Sequence, residues 1–345
     1  MIISSKLFTD ELQKLITSDA EQCFVVGLSG GADSLCLTML LNEYIANNGG
    51  KLFACIVDHK LRPQSSTEIV PIIELLKQIG IDHCVKIWNH GNITSNIEMK
   101  ARTARYDLLD EYCKEVNANF LCTAHHALDQ WETFFMRLSR GSGLRGLTSI
   151  NSITDFRNIK LIRPLLTFSP IDLKETLQQR FSIDSYVYDE MNDDPKYERV
   201  RWRKSYNTLS SEYNLTTINI GQTIKRLKLA NDCLNYITTN VLSNVFDGTY
   251  INVQIFKQQP LDLQARILDR IVQNVLNNNK ATQSLHNVHN RIISYELLVR
   301  IAKEITTKNF KATNFARLVF KKDRTKNIMV YHEQRRIRPL CFTDK

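Results

Sequence analysis

The stretch Phe24-Val25-Val26-Gly27-Leu28-Ser29-Gly30-Gly31-Ala32-Asp33-Ser34 decides the fold of this chain. Its apolar first half predicts a buried strand, and the spacing of apolar residues after Ala32 predicts a helix. Gly30 and Gly31 allow a sharp turn between the two and let a ligand approach the main chain. The helix would direct its unpaired N–H groups and the positive end of its dipole at that ligand. The stretch therefore predicts an anion-binding turn.

Three polar side chains in this turn narrow the choice of anion. Ser29 and Ser34 can donate hydrogen bonds to phosphate oxygens. Asp33 would repel a phosphate by itself, but a divalent cation such as Mg²⁺ between the two would remove that repulsion. Phosphate together with a metal ion indicates a nucleotide. The alternative is a plain glycine turn in which Asp33 only favours the dipole of the helix.

Length and composition set the class of protein. The chain has 345 residues, of which 43% are hydrophobic, which is enough for a sizeable core and two domains. No apolar run approaches the roughly 18 residues that span a bilayer, and the N-terminus lacks the apolar core of a signal peptide. We therefore expect a cytoplasmic protein without a membrane partner. The eight cysteines form no C-x-x-C pair, so neither a disulfide framework nor a zinc or iron–sulfur site is predicted.

The charge is unevenly distributed along the chain. Residues 1–195 carry 19 Lys and Arg against 25 Asp and Glu, whereas residues 196–345 carry 26 against 11. A basic module joined to a nucleotide site is typical of a protein with a nucleic-acid partner, because each neutralised phosphate releases counterions. The alternative is a solvated basic face that keeps the protein soluble.

Short β-rich runs alternate with helical patterns from Cys23 to about Ile162, which predicts an α/β fold with a Rossmann-like parallel sheet. The expected strands are Phe24–Leu28, Leu52–Val57, His83–Trp88 and Phe120–Thr123, with a fifth at Lys160–Arg163. The expected helices are Ser34–Ala46, Ser66–Gln78, Asn96–Glu115 and Leu128–Leu138. In such sheets, ligands bind outside the carboxyl ends of the strands.

The second part of the chain predicts a different domain. Residues 169–187 indicate one more helix and strand, and an acidic-to-basic switch over residues 189–204 marks the edge of the first domain. Further helices are expected at Asn219–Val245, Leu261–Asn278 and His289–Glu304. The runs Ala316–Phe320 and Ile328–His332 flank a basic segment and predict a terminal β-hairpin. We expect a catalytic domain over residues 1–215 and a basic, mainly helical domain over residues 216–345.

Polar residues follow two of the predicted strands. Asp58 and His59 come after the second strand and would contact the ribose or base of the nucleotide, or else hydrogen-bond the backbone of their own loop. After the fourth strand comes His126, then Asp129 and Glu132, which share one face of the next helix. These two carboxylates could hold Mg²⁺, grip an ammonium group or accept a proton from a nucleophile. Alternatively, they are only favourable charges in the first turn of a helix.

Six arginines are candidates for contacts with phosphate or with a nucleic acid: Arg102, Arg105, Arg140, Arg145, Arg199 and Arg203. The first two share a helix face with Glu98, and solvated Glu–Arg pairs are the alternative there. The next two belong to a basic, glycine-rich loop that could close on phosphates. The last two lie beside Trp202 in a mixture suited to phosphate contacts and base stacking.

Residues 29–34 resemble the S-G-G-x-D-S signature of the ATP pyrophosphatase (PP-loop) family, whose members cleave ATP to AMP and pyrophosphate to adenylate an oxygen. Five further blocks follow in order and resemble the tRNA(Ile)-lysidine synthase branch of that family. They are Val57–Arg62, Asn96–Tyr106, Ala124–Thr133, Arg140–Gly143 and Arg163–Leu166. The likeness is strong over residues 22–203 and faint beyond them.

The resemblance implies a ligase that modifies tRNA. ATP would adenylate the 2-carbonyl oxygen of the wobble cytidine in the CAU anticodon of tRNA(Ile), and the ε-amine of L-lysine would then displace AMP. The product, lysidine, pairs with A and changes the identity of the tRNA from methionine to isoleucine. The C-terminal domain would bind the tRNA.

The resemblance also implies roles for individual residues. ATP would be bound by Ser29, Gly30, Gly31, Ala32, Asp33, Ser34, Asp58 and His59. The catalytic residues would be Asp33, His126, Asp129 and Glu132. Mg²⁺ would be held by Asp33, and the other two carboxylates would grip lysine or serve as its base.

The chain departs from the family pattern at three positions. Leu128 stands where the family has the first of two acids, and Val200 and Trp202 replace an Asn and an aliphatic residue in the later basic block. Two other functions stay open, namely another PP-loop tRNA-modifying enzyme such as a thiolase, and a non-catalytic RNA-binding protein. The thiolases usually need a pair or cluster of catalytic cysteines, and the lack of C-x-x-C weighs against them. Whether the chain forms a homodimer is also open.

Overall fold

The computed structural model describes residues 1–16, 22–61, 65–91, 95–187, 193–277 and 293–332. The chain forms two compact units, Met1–Lys228 and Leu229–Lys345. The boundary between them lies within a helix that runs from Thr217 to Val245, and the sequence-based partition after residue 215 lies just before that helix. Among the described residues, no helix is both long enough and apolar enough to cross a membrane.

A six-stranded sheet forms the centre of the first unit. Its strands are β1 (Cys23–Leu28), β2 (Lys51–Asp58), β3 (Asp82–Ile87), β4 (Phe120–Cys122), β5 (Ile153–Phe156) and β6 (Ile159–Ile162). They lie in the order β3-β2-β1-β4-β6-β5, and all neighbours are parallel except β5 and β6. The predicted parallel sheet is therefore confirmed. The sequence did not predict β5, a four-residue strand at the edge of the sheet.

Helices cover both faces of this sheet. The helices of this part of the chain are α1 (Ser5–Gln13), α2 (Ala32–Asn48), α3 (Ser65–Glu68), α4 (Val70–Gln78), α5 (Ile97–Glu115), α6 (Ala127–Ser139), α7 (Leu144–Leu147), α8 (Pro170–Phe181), α9 (Glu198–Tyr213) and α10 (Thr217–Val245). Phe24 and Val26 of β1 pack with α1, α2 and α8, whereas Cys23 and Val25 pack with α5. Because both faces of β1 are buried, the strand is a continuous apolar run.

Two sequence predictions in this unit were wrong in part. The helix predicted over residues 66–78 is divided into α3 and α4, since Pro71, in the first turn of α4, has no N–H with which to continue a preceding helix. The strand predicted at the end of residues 169–187 does not form in the described residues 182–187. The N–H of Val187 there donates to the carbonyl oxygen of Gly30 (2.9 Å), so this segment pairs with the glycine turn.

The second unit packs helices against an antiparallel sheet. Its elements are α11 (Val253–Lys257), α12 (Leu261–Asn277), α13 (Tyr295–Ile305), β7 (Tyr250–Ile251), β8 (Ala312–Phe315), β9 (Leu318–Lys322) and β10 (Ile328–His332). The predicted hairpin is confirmed as β9 and β10, and the order of the sheet is β7-β10-β9-β8. The predicted helix start at His289 lies outside the described residues, and α13 begins at Tyr295.

Gly30 adopts a backbone conformation that L side chains rarely adopt. Its φ is +84°, and a Cβ added there would lie 2.1 Å from Cδ1 of Ile72 and 3.1 Å from Cγ2 of Val187. Gly31, by contrast, has an extended backbone with a φ of −73°. A Cβ added at Gly31 would lie 3.7 Å from Oγ of Ser29, which is an ordinary van der Waals distance. The fold therefore requires glycine only at the first of these two positions.

We expect Gly30→Ala to destabilise the first unit by about 2–4 kcal/mol, because the strained φ and the clash with Ile72 add together. Gly31→Ala is the matched control and should cost about 1 kcal/mol or less, the difference between glycine and alanine at a helix N-cap. Urea unfolding followed by tryptophan fluorescence measures this, since all 3 tryptophans, Trp88, Trp131 and Trp202, lie in the first unit. Equal losses in the two variants would contradict the prediction.

Candidate active site

A cavity of about 530 Å³ opens at the carboxyl ends of β1, β2 and β4. Its volume is that of a small-molecule site, and its position is where parallel sheets bind ligands. The structure brings most of the candidate residues to this cavity: Ser29, Gly31, Asp33, Ser34, Asp58, His59, Arg102, Arg105, His126, Asp129, Arg199 and Arg203. The other candidates are not among the lining residues: Gly30, Ala32, Glu132, Arg140 and Arg145.

The glycine turn is held in shape by Ser34. Its Oγ donates to the carbonyl of Gly31 (2.9 Å), accepts from the N–H of Ser29 (3.2 Å) and lies 3.1 Å from Oγ of Ser29. The helix α2 then begins after Gly31 without a side-chain cap. Its first N–H groups therefore have no capping side chain and are suited to bind an anion.

Three titratable side chains meet beside this turn. His126 is the N-cap of α6, and its Nδ1 accepts from the N–H of Asp129 (3.3 Å) while the N–H of His126 donates to Oδ2 of Asp129 (3.0 Å). In the neutral imidazole the proton is therefore on Nε2, which lies 3.5 Å from Oδ2 of Asp33. The capping interaction thus aims the imidazole at Asp33.

Burial and the two carboxylates oppose each other at His126. Burial disfavours the imidazolium, but Asp129 and Asp33 outweigh this effect and raise the pKa of His126. Burial would likewise raise the pKa of Asp129, but His126, His125, Arg199 and the backbone hydrogen bond from His126 together outweigh it, so the pKa of Asp129 is lowered. Asp129 therefore stays ionised although it is only 9% exposed.

One oxygen of Asp33 fits a cation that arrives with a phosphate. Oδ1 of Asp33 is buried and has no hydrogen-bond partner among the described residues. Within the described ranges of the chain, no group of three or more His, Cys, Asp and Glu residues could hold a metal ion by itself. Mg²⁺ usually binds through one or two carboxylates together with substrate phosphates and water, and such a site needs no protein cage. Asp33 is therefore suited to contribute one ligand.

The sequence reasoning missed His125, which also lines the cavity. Burial lowers its pKa to about 3, and its Nδ1 lies 2.9 Å from Oγ1 of Thr123. The imidazole is consequently neutral at physiological pH and can donate or accept one hydrogen bond. The only signal in the sequence was its position directly after a strand, next to the histidine that was chosen.

Asp58 and His59, at the carboxyl end of β2, have different surroundings. Asp58 accepts hydrogen bonds from the hydroxyls of Ser65 (2.7 Å) and Ser66 (2.6 Å) and from the N–H of Lys60 (2.9 Å). Its carboxylate therefore organises its own loop, as the alternative interpretation expected. Nδ1 of His59, by contrast, is buried without a partner in the described structure, and burial lowers the pKa of His59. Of the two, His59 has the atom available for a ligand.

The arginines of α5 face the cavity. The guanidinium groups of Arg102 and Arg105 lie 5.2 and 5.6 Å from the centre of the Tyr106 ring, in cation–π contact. Nε of Arg105 is buried and has no partner within the described residues. Glu98 is exposed and does not line the cavity. Contacts of these two arginines with phosphate stay a prediction.

Two residues of the later basic block have structural roles. Trp202 stacks on Phe135 at 5.5 Å and meets Trp131 edge-on at 6.4 Å, so it joins α9 to α6. Val200 is buried. Leu128, at the position of the missing family acid, packs against the same aromatic cluster. The apolar departures from the family pattern thus serve packing in this chain.

The glycine-rich loop lies outside the cavity. Arg140 is exposed and forms an ion pair with Glu198 at the start of α9. Arg145 lies on the short helix α7. A role for these two arginines in phosphate or tRNA contacts stays a prediction.

Comparisons with known proteins agree with this geometry. Residues 5–209 match the family model of the PP-loop domain. The chain is 35% identical over 250 residues to the tRNA(Ile)-lysidine synthase of Wolbachia pipientis wMel, covering 70% of this chain and 57% of that protein. It is 32% identical over 274 residues to the tRNA(Ile)-lysidine synthase of Zymomonas mobilis, covering 77% of this chain and 79% of that protein.

A solved structure shows a similar fold. The U34-tRNA thiolase NcsA from Methanococcus maripaludis matches 64% of this chain and 78% of its own, with a TM-score of 0.53 and 19% sequence identity. Several curated relatives are longer, and the chain spans 57 to 60% of their length. From the family model and the curated relatives together, the chain belongs to the tRNA(Ile)-lysidine synthase family of PP-loop proteins.

Proposed function

We propose that the chain is an ATP-dependent ligase that joins L-lysine to C2 of the wobble cytidine in the CAU anticodon of tRNA(Ile). The products are lysidine in the tRNA, AMP and pyrophosphate. One observation carries the proposal: a cavity at the strand ends collects the turn before α2, an oxygen of Asp33 that has no partner among the described residues, and arginines from α5 and α9. We expect the reaction in the cytoplasm, where ATP, tRNA and free lysine occur together.

The turn and the arginines suit the triphosphate of ATP. The N–H groups at the start of α2 would bind the departing pyrophosphate, and the guanidinium groups of Arg102 and Arg105 would offset the remaining charge. Mg²⁺ held by Asp33 would supply further charge compensation on the phosphates. His59, with its unpaired Nδ1, would hydrogen-bond the nucleoside.

Asp129 suits the amine of lysine. Its ionised carboxylate lines the cavity and would attract the ε-ammonium group of the substrate. Its lowered pKa makes it a weak base, because a general base works best with a pKa near the operating pH. We therefore assign it to selection of lysine. His126 would keep Asp33 and Asp129 at fixed positions on either side of its ring.

The second unit would bind the tRNA. Asp323 holds the turn between β9 and β10 by accepting from the N–H groups of Thr325 (2.9 Å) and Asn327 (3.0 Å). This turn presents exposed basic side chains, namely Lys321, Arg324 and Lys326. Clustered basic residues on an ordered turn are suited to contact the phosphate backbone of RNA.

Lysine transfer is the direct test of the function. The full chain is incubated with ATP, Mg²⁺, radiolabelled lysine and a CAU-anticodon tRNA(Ile) transcript, and elongator tRNA(Met) serves as the control. We expect label in the isoleucine tRNA alone. AMP release that depends on tRNA but gives no label would refute lysine as the nucleophile. No AMP and no label with either tRNA would favour a non-catalytic RNA-binding protein.

Asp33→Asn should reduce tRNA-dependent AMP formation at least about 100-fold, because it removes the charge that binds the cation while keeping the size of the side chain. Asp172→Asn is the matched control, since Asp172 is also an acid in the first turn of a helix but lies outside the cavity. Near-normal turnover of Asp33→Asn would show that this residue serves only the helix dipole.

Replacing Lys321, Arg324 and Lys326 by Ala should weaken tRNA binding and leave ATP affinity unchanged. Each lost phosphate contact should also reduce the slope of log K against log salt by roughly 0.7–0.9. Binding is measured by filter retention at several salt concentrations. The control removes equal charge from exposed lysines of the first unit, namely Lys6, Lys14 and Lys77. An equal loss in both triple variants would argue against a specific role for the hairpin.

A further inference from the structure

Glu132 is a completely buried carboxylate beside the candidate site. Its exposure is 0%, and it does not line the cavity, although it lies one turn after Asp129 on α6. Its Oε1 accepts from Nε of Arg203 at 2.6 Å, and its Oε2 lies 3.1 Å from Nε of Arg199. Oε1 is therefore hydrogen-bonded to Arg203, whereas Oε2 is in ion-pair contact with Arg199 but accepts no hydrogen bond within the described residues.

These two arginines connect the buried carboxylate to the cavity. Arg199 and Arg203 are one turn apart on α9, and both line the cavity. Each meets Glu132 through Nε, so the Nη groups at the far end of each guanidinium lie outside this contact. Nη2 of Arg199 donates to Oγ1 of Thr133 (3.3 Å), which fixes the plane of that guanidinium further. The planar fork of arginine allows one edge to be anchored while the other edge binds an anion.

The helices that carry these groups are firmly packed together. Trp131, next to Glu132, meets Tyr206 of α9 edge-on at 5.2 Å, and its Nε1 donates to the carbonyl of Leu215 (2.6 Å). Phe135 stacks on Trp202 at 5.5 Å. The distance between the carboxylate and the two arginines is therefore set by rigid elements, as a preorganised site requires.

The surroundings of Glu132 do not suit a general base or a site for an ammonium group. An amine could reach Oε1 only by displacing Arg203, which would leave a guanidinium group without its buried partner, and at Oε2 it would meet the guanidinium group of Arg199, whose Nε lies 3.1 Å away. Burial raises the pKa of Glu132, and Arg203 and Arg199 oppose that effect. The carboxylate and the guanidinium groups thus depend on each other.

We propose that Glu132 is a positioning residue, which holds Arg199 and Arg203 so that their guanidinium groups bind phosphate in the cavity. The identity of the substrates rests on the proposed function. Glu132 and Asp129 then have different roles, because Asp129 selects lysine and Glu132 positions the arginines. The phosphate comes either from ATP or from the backbone of the tRNA. Glu132 itself touches neither lysine nor the reacting atoms.

Glu132→Gln is the main test, made in the full chain. Glutamine keeps the size of the side chain, but it is neutral and its NH₂ group would face an arginine Nε. We expect the Kd for ATP, measured by calorimetry without tRNA or lysine, to rise about 10- to 100-fold. The reason is that the guanidinium groups which bind phosphate would no longer be held by a charged partner. If the phosphate belongs to the tRNA, the Kd for tRNA should rise by this factor and that for ATP should not.

Glu43→Gln is the matched control. Glu43 accepts from Nη2 of Arg180 at 2.8 Å, which makes another carboxylate–arginine pair of the first unit, here a partly buried one. Neither residue lines the cavity. Its loss should leave both Kd values unchanged. Tryptophan fluorescence checks that the variants are folded. Because these binding measurements do not need lysine transfer, they stay informative if the proposed ligase reaction fails.

Arg203→Lys gives an independent variant at the partner position. A lysine has a single nitrogen, so it can reach Glu132 or the cavity but not both, and the same loss of phosphate affinity is expected. The double variant should then lose little more than either single variant. The KM for lysine and the shape of the pH profile of kcat should be unchanged in Glu132→Gln. Unchanged affinities for both ATP and tRNA, a raised KM for lysine alone, or loss of the acidic limb of the pH profile would overturn the proposal.

Discussion

The site depends on one constraint: the helix α2 begins, without a side-chain cap, at the end of the buried strand β1. The strand β1 is paired on both sides and covered on both faces, so its register cannot slip without exposing apolar residues. The position of Gly30 follows from that register, and its positive φ turns the chain into α2. The N–H groups at the start of α2 are thereby fixed in space, next to the ends of β2 and β4.

Interactions that stabilise the fold also organise the site. The capping box at the start of α6 stabilises that helix, and the same hydrogen bonds fix the tautomer of His126 and aim its Nε2 at Asp33. Asp58 closes the loop after β2 with three hydrogen bonds and so holds the neighbouring His59 at the cavity. In both places one side chain satisfies backbone N–H groups and also positions a residue of the cavity. A substitution of that side chain would therefore affect both the local fold and the site.

The sequence predicted the parallel sheet and most of the cavity because these depend on local patterns. Apolar runs indicated β1 to β4 and β6, and residues directly after strands were chosen as candidates. The spacing of Asp129 and Glu132 placed them on one face of a helix, but it could not report that α9, about 70 residues later, covers one of them. Likewise, no local signal shows that Trp202 packs against Phe135 and Trp131. What the sequence missed depends on contacts between distant segments.

The arrangement of charge in the cavity suits a reaction between a polyanion and a cation. Four arginines, Arg102, Arg105, Arg199 and Arg203, contribute positive charge from two helices, whereas Asp33 and Asp129 lie on either side of the ring of His126. On the proposed function, the arginines would favour the phosphates of the nucleotide, and the carboxylates would favour the metal ion and the ammonium group of lysine. The arginines lie on α5 and α9 and the carboxylates on α2 and α6, so one cavity of about 530 Å³ presents groups of both signs that would attract both proposed substrates.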